Sequence, residues 1–149
     1  MEQHGTVSNS HPLFVDYDLL VEDAIKLGCY DWVNSNITAK NFSTQRTEKA
    51  DVKVELVHFN RVLLTKDVLE ELDRMGYRPA ELHELLAFGE KYPDIQKKFP
   101  IVALGSVWQY QSGGRGVPCL YWGGSGRFLG LGWVEGDWYA IYRFAAVRK

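Results

Sequence analysis

The sequence is poor in the residues that most often announce a chemistry. Only two of its 149 residues are cysteine, Cys29 and Cys119. They are too few and too far apart for a disulfide framework or a cysteine-rich metal site. They read as buried thiols in a reducing compartment, with a single bridge between them as the alternative. Positive charge is not in excess: the net charge is -2 and the pI is near 6.1. That removes the electrostatic case for nucleic acid or an anionic membrane. No apolar run approaches the roughly 18 residues of a membrane helix. The opening MEQHGTVSNSHP has neither the basic nor the apolar segment of a signal peptide. A cytoplasmic location is therefore expected, with surface display left open.

Catalytic signatures are also missing. His83-Glu84 begins a zinc-protease helix motif, but Ala87 stands where the second His is needed. The expected reading is an exposed polar helix face. His58 lies in or beside a strand and is expected to be structural, while His4 and His11 fall in the tail. Glu70, Glu71 and Asp73 read as solvated helix charges. Gly123-Gly124-Ser125-Gly126 lacks the Lys-Ser/Thr and the following helix of a phosphate cradle. Ser106, in Gly105-Ser106-Val107, lacks the second Gly of a nucleophile elbow. No catalytic residue, metal ligand or cofactor is expected.

What is present is a globular chain, 46% hydrophobic and 13% aromatic, long enough for one core. Residues 1–12 are polar and read as a flexible tail, and 13–149 as a single domain. Residues 16–27 predict a helix with Leu20, Ala24 and Leu27 on its apolar stripe and Gly28 as its stop. A polar loop, 34–50, leads to a half-buried strand at 52–57. Thr65 is expected to cap a second helix, with Val68, Leu69, Leu72 and Met75 inward and Gly76 at its end. Pro79 is expected to open a third, with Leu82, Leu85 and Leu86 inward. Strands are predicted at Ile101–Trp108, Val117–Trp122, 128–133 and 138–147. The order of elements predicts an α+β fold, with helices packed on short antiparallel strands.

Composition changes sharply in the last third. Residues 101–149 hold ten of the fourteen Gly and four of the five Trp. They carry five cations against two carboxylates, a net of +3, which leaves -5 on the first hundred residues. Tyr and Trp offer large contact area at low entropic cost, and Ser and Gly adapt around them, as in antibody-type paratopes. Alternation in 128–133 puts Leu129, Leu131 and Trp133 on a core face and Phe128, Gly130 and Gly132 on the other. Gly130 and Gly132 weaken a strand and pack nothing, so a display surface is expected there.

Phe99-Pro100-Ile101-Val102-Ala103-Leu104-Gly105-Ser106-Val107-Trp108, then Val117-Pro118-Cys119-Leu120, Trp133, Trp138 and Arg143-Phe144-Ala145-Ala146-Val147-Arg148-Lys149 carry a resemblance. With the helix pair of Leu64–Pro93, they resemble the variable proteins of diversity-generating retroelements, the small archaeal and candidate-phylum members above all. The likeness spans about residues 52–149. It implies a C-type lectin fold and a variable region, about 108–149, rewritten by error-prone reverse transcription at template adenines. Diversified AAY codons reach Tyr, Asn, Ser, Asp, Gly, Ala, Ile and Phe but not Trp, Glu, Gln, Lys or Met. The resemblance thus implies fixed scaffold at Gln111, Trp122, Trp133, Glu135 and Trp138. It implies ligand contact at Tyr110, Ser112, Gly116, Tyr121, Gly123, Gly124, Ser125, Gly126, Phe128, Gly130, Gly132, Tyr139, Ala140, Ile141 and Tyr142.

The chain departs from calcium-dependent lectins, lacking their Glu-Pro-Asn loop and Trp-Asn-Asp strand, so calcium and sugar binding do not carry over. Formylglycine-generating enzymes share the fold but use late cysteines, of which only Cys119 is present. The expectation is a monomeric binding protein whose partner is a macromolecule, a protein rather than nucleic acid. An enzyme of the formylglycine-generating class and a structural or effector accessory domain are the alternatives.

Overall fold

Val54-Glu55-Leu56-Val57, Ile101-Val102-Ala103-Leu104, Val117–Leu120 and Phe144–Val147 are nearly continuous apolar runs. Such runs suit strands covered on both faces. The computed structural model, which describes residues 5–149, gathers all four into one ten-stranded, mostly antiparallel sheet. In chain order the elements are β1 (Thr6–Val7), β2 (His11–Asp16), α1 (Val21–Gly28), β3 (Trp32–Val33), β4 (Lys49–His58), β5 (Leu63–Leu64) and α2 (Thr65–Arg74). There follow β6 (Tyr77–Pro79), α3 (Leu82–Lys91), a 3-10 turn (Ile95–Lys97), β7 (Ile101–Val102), β8 (Trp108–Gln109), β9 (Arg115–Trp122), β10 (Arg127–Trp133), β11 (Asp137–Trp138) and β12 (Arg143–Arg148).

The main path runs β1-β4-β12-β7-β9-β10-β3, with β2 beside β4, β6 beside β12 and β8 beside β9. Only β7 with β12 and β3 with β10 pair in parallel. Alternate residues of each strand feed opposite cores. Leu56, Ala145, Ile101, Leu120 and Leu129 join α1 and α3 through Val21, Ala24, Leu85 and Phe88. Val57, Ala146, Val102, Val117 and Cys119 join α2 through Val68 and Leu72, with Trp138 above them. The sheet is therefore the middle layer, and β5 with β11 pins the loop after β10 beside the start of α2.

The expected α+β class holds, but local details differ. Thr6–Val7 and His11–Asp16 pair with β4, so much of the expected tail is sheet; its residues 1–4 lie outside the described residues. Strand β2 displaces the start of the first helix to Val21, and the buried stripe becomes Val21, Ala24 and Gly28, with Leu20 and Leu27 exposed. Cys29, not Gly28, takes the left-handed cap, with φ 51°, and its thiol is exposed. Both cysteines are free. The polar loop before β4 sinks Ile37 and Phe42 into the core. Leu69 points outward. Thr65 makes no cap; it donates to the Val134 carbonyl and accepts from the Trp138 indole, each at 2.7 Å. Pro79 belongs to β6, and α3 starts instead from a reciprocal cap between Glu81 and Glu84. The apolar run from Ile101 splits into β7 and β8, and the last predicted strand into β11 and β12, because turns interrupt both.

The largest correction concerns His83-Glu84. Both are buried. His83 donates to the Leu19 carbonyl at 2.9 Å. Glu84 takes the guanidinium of Arg78 through both oxygens (2.6 and 2.9 Å) and the hydroxyl of Tyr17 at 2.5 Å. A second carboxylate, Glu55, likewise accepts from Tyr77 at 2.5 Å and Arg148 at 3.2 Å. Buried carboxylates persist when paired and hydrogen-bonded.

A candidate binding cleft beside the C-terminal hairpin

The hairpin of β9 and β10 sets Tyr121 opposite Phe128, Cys119 opposite Gly130 and Val117 opposite Gly132. Opposed residues share a face, so the glycine-bearing face is the one that looks toward Trp138. It is not an open display face. The Tyr121 ring lies over Gly130, where a Cβ would come within 2.7 Å of it, and the Trp138 ring lies equally close over Gly132. Each glycine is a slot for a ring. Trp138 cannot yield easily, since it is buried and its indole is tied to Thr65. Gly132→Val is expected to cost about 1–3 kcal/mol by urea denaturation. Ser125→Val, on an exposed turn, is expected to stay within about 0.5 kcal/mol.

Beside this face the 3-10 turn and the irregular segment 98–100 leading to β7 form the second wall of a cleft of about 440 Å³. Four of the sequence candidates come together here: Tyr121, Gly132, Ile141 and Tyr142. Trp122, Phe99, Pro100, Leu131 and Cys119 complete the apolar lining, and Lys97 and Lys98 stand on the rim. Burial raises the phenol pKa of Tyr121 and of Tyr142, so both keep protonated hydroxyls that can donate as well as accept. Tyr142 packs edge-on against Trp138 at 5.0 Å, which fixes its ring. Ile141 and Tyr139 are 61% and 63% exposed. The Ala140 carbonyl accepts at 2.6 Å from His58; a carbonyl can only accept, so His58 carries its proton on Nε2. His58 thus fixes the loop that presents Tyr139 and Ile141.

One wall of the cleft is held by a buried cation. Arg127 donates to the carbonyls of Gly28, Gly89 and Pro93 and to the Gln96 side chain, at 2.6 to 3.2 Å, and stacks 4.7 Å from the Tyr30 ring. Gln96 in turn donates to the carbonyls of Tyr121 and Phe128. This pair joins α1, α3 and the 3-10 turn to the hairpin. Sequence reasoning missed both residues; an Arg set inside the apolar hairpin between Gly126 and Phe128 is the one visible hint.

The other candidates lie apart from the cleft lining. Tyr110 stacks between Trp108 (4.1 Å) and Trp133 (4.8 Å) at the β8–β9 turn, which also carries exposed Ser112. Gly116 lies beneath the Tyr110 ring. Gly123, Gly124 and Ser125 form the exposed tip of the hairpin, where Gly124 has φ 86° and suits a residue without a Cβ. Gly126 is buried against Asp31, and Phe128 packs between Trp32 and Tyr121. Of the Trp residues read as scaffold, Trp138 is buried, whereas Trp122 and Trp133 are 40% and 53% exposed. Those two contribute contact surface themselves.

Cys119, on which an enzymatic alternative leans, is buried, and burial pushes its thiol up to about 12; it is a protonated thiol at neutral pH. No cluster of three or more His, Cys, Asp or Glu able to hold a metal occurs among the described residues. Nor, among them, is any helix long and apolar enough to cross a membrane. A larger hollow, about 620 Å³, lies between β2, α1 and α3. It contains none of the candidates, and its His83 is already committed to Leu19. The cleft, with aromatic lining and converging polar groups, is the stronger candidate site. No family model, curated protein or solved structure matches the chain.

Proposed function

We propose that this chain is a binding protein of the diversified type, the variable protein of a diversity-generating retroelement with a C-type lectin fold, and that it grips a protein partner through the cleft and the loops around it. The observation that carries this reading is the division of labour between a fixed frame and the side chains of residues 110–142 that project from it. Trp138, Leu129, Gln96 and Arg127 form a locked frame. Ser112, Ser125, Tyr139 and Ile141 project from it as exposed side chains. A surface of that kind tolerates replacement at selected positions without loss of the frame. Exposed Trp122, Tyr139 and Ile141 beside an aromatic cleft also match the anchors that dominate protein interfaces. The lectin-type reading is supported by β4 lying against the C-terminal β12, with α2, α3 and the hairpin between them in sequence.

The test is genomic. A reverse-transcriptase gene is expected nearby, together with a near-repeat of the 3′ end that differs from it mainly at adenines. A neighbourhood with neither would remove the proposal.

A further inference from the structure

We propose that the partner segment is acidic: an aromatic or aliphatic side chain enters the cleft while an adjacent carboxylate engages Arg143 and Lys98. This rests on the cleft being the binding site. A second hollow of about 220 Å³ adjoins it and shares Lys98, Phe99 and Ile141 with it. Arg143 lines this second hollow and reaches the cleft wall through Phe99 and Ile141. Its guanidinium sits 4.2 Å from the centre of the Phe99 ring, and one of its nitrogens donates to the Ile141 carbonyl at 2.7 Å. Among the described residues the remaining donors of the fork have no partner, and the fork geometry matches a carboxylate.

Three observations favour an anion there. Arg143 is half-buried, so it has lost part of its hydration, and burial lowers its pKa. Neither Arg143 nor Lys98 joins an ion pair among the described residues, whereas Lys97 is already paired with Asp94 at 3.0 Å. A partly desolvated cation without a counter-ion is unfavourable alone and is relieved by a ligand carboxylate. Finally, the residues that line the two hollows include Lys97, Lys98 and Arg143 and, among the described residues, no carboxylate. The positive field is therefore local. It suits one or two carboxylates on a protein segment and not a long polyanion.

The measurement is chemical-shift mapping of the full-length, isotope-labelled chain with two small probes, N-acetyl-L-phenylalanine and its neutral primary amide. Both are expected to shift the amides of Lys98, Phe99, Ile141 and Arg143, the acid binding about tenfold more tightly. Arg143→Gln is expected to bring the ratio of acid to amide affinity within the variant to about one, with circular dichroism confirming the fold. If R143Q does not fold, Lys98→Gln serves, with a several-fold drop in the preference expected. Equal binding of acid and amide would overturn the acidic partner and leave the cleft as a site for rings alone. No shift with either probe would remove the cleft as well. Tighter binding of an oligothymidylate at these residues would overturn the protein partner in favour of nucleic acid.

Discussion

Arg127→Met is expected to destabilise the chain by about 3–5 kcal/mol, because each buried acceptor left without its donor costs about 1–3 kcal/mol. The carbonyls of Gly28, Gly89 and Pro93 and the Gln96 oxygen would all lose their partner together. Methionine fills much of the volume, so the loss reports hydrogen bonding more than a cavity. In a chain of this length, 1 kcal/mol moves Tm by about 2–4 °C, so a fall of about 10 °C is expected. Urea denaturation checks it through a lower midpoint at unchanged slope. Arg115→Met removes an ion pair that is about half exposed on both sides and serves as the control, with a midpoint close to that of the wild type expected. A comparable loss in both variants would show that Arg127 is not the hub. The consequence for binding is indirect. Arg127 and Gln96 hold the 3-10 turn against the hairpin, so the cleft should lose its shape in R127M before it loses its side chains.

The second large effect is at Glu84. Glu84→Gln strips Arg78 of its carboxylate in a buried setting. Removing one partner of a buried pair typically costs 3–5 kcal/mol; Arg78 keeps some contact with water, so about 3 kcal/mol is expected. Burial by itself would raise the Glu84 pKa. The hydrogen bonds from Arg78, Tyr17 and the Glu81 amide outweigh it and hold the carboxyl below its ordinary value. The sign follows from that lowering. Glu84 contributes stability that is full above the unfolded carboxyl pKa, about 4.3, and that is lost as pH falls through the lower folded value. The wild type should therefore lose stability steeply in that acid window. E84Q should be weaker at neutral pH and lose less on further acidification. Equal acid slopes for the two proteins would show that Glu84 is not the acid-sensitive group.

These two residues show where sequence reading stops. Helices α2 and α3 were legible because Val68 and Leu72, and then Leu82, Leu85 and Leu86, repeat at helical spacing. Strand β2 was not, because its alternation of Leu13 and Val15 is short and opens on Pro12. The helix expected over 16–27 starts at Val21, and two positions of its stripe move by one residue, from Leu20 and Leu27 to Val21 and Gly28. His83-Glu84 looked like solvent-facing charge because the groups that justify its burial, Tyr17 and Arg78, lie on other elements, 67 and 6 residues away in sequence. The cleft was half legible. The Tyr, Gly and Ser of the last third marked the region, and Tyr121, Gly132, Ile141 and Tyr142 do meet there. Its far wall of Gln96 to Pro100 was invisible as a wall, since nothing local says that a 3-10 turn will face the hairpin. The glycines were the most ambiguous signal. A glycine that leaves room for a ligand and one that leaves room for Trp138 have the same sequence, and only the packing separates them.

Exposed and cleft-lining side chains of residues 110–142 are predicted to change from copy to copy while the frame beneath them does not. Sequencing the 3′ end of the gene in many cells of one population tests it most directly. Replacements are predicted to gather at Tyr139 and Ile141, and at Ser112, Ser125, Tyr121 and Tyr142. Gln96, Arg127 and Trp138 are predicted to stay constant, and so are Gly130 and Gly132, where a side chain would strike a ring. An invariant 3′ end, or changes spread evenly over exposed and buried positions, would contradict the account.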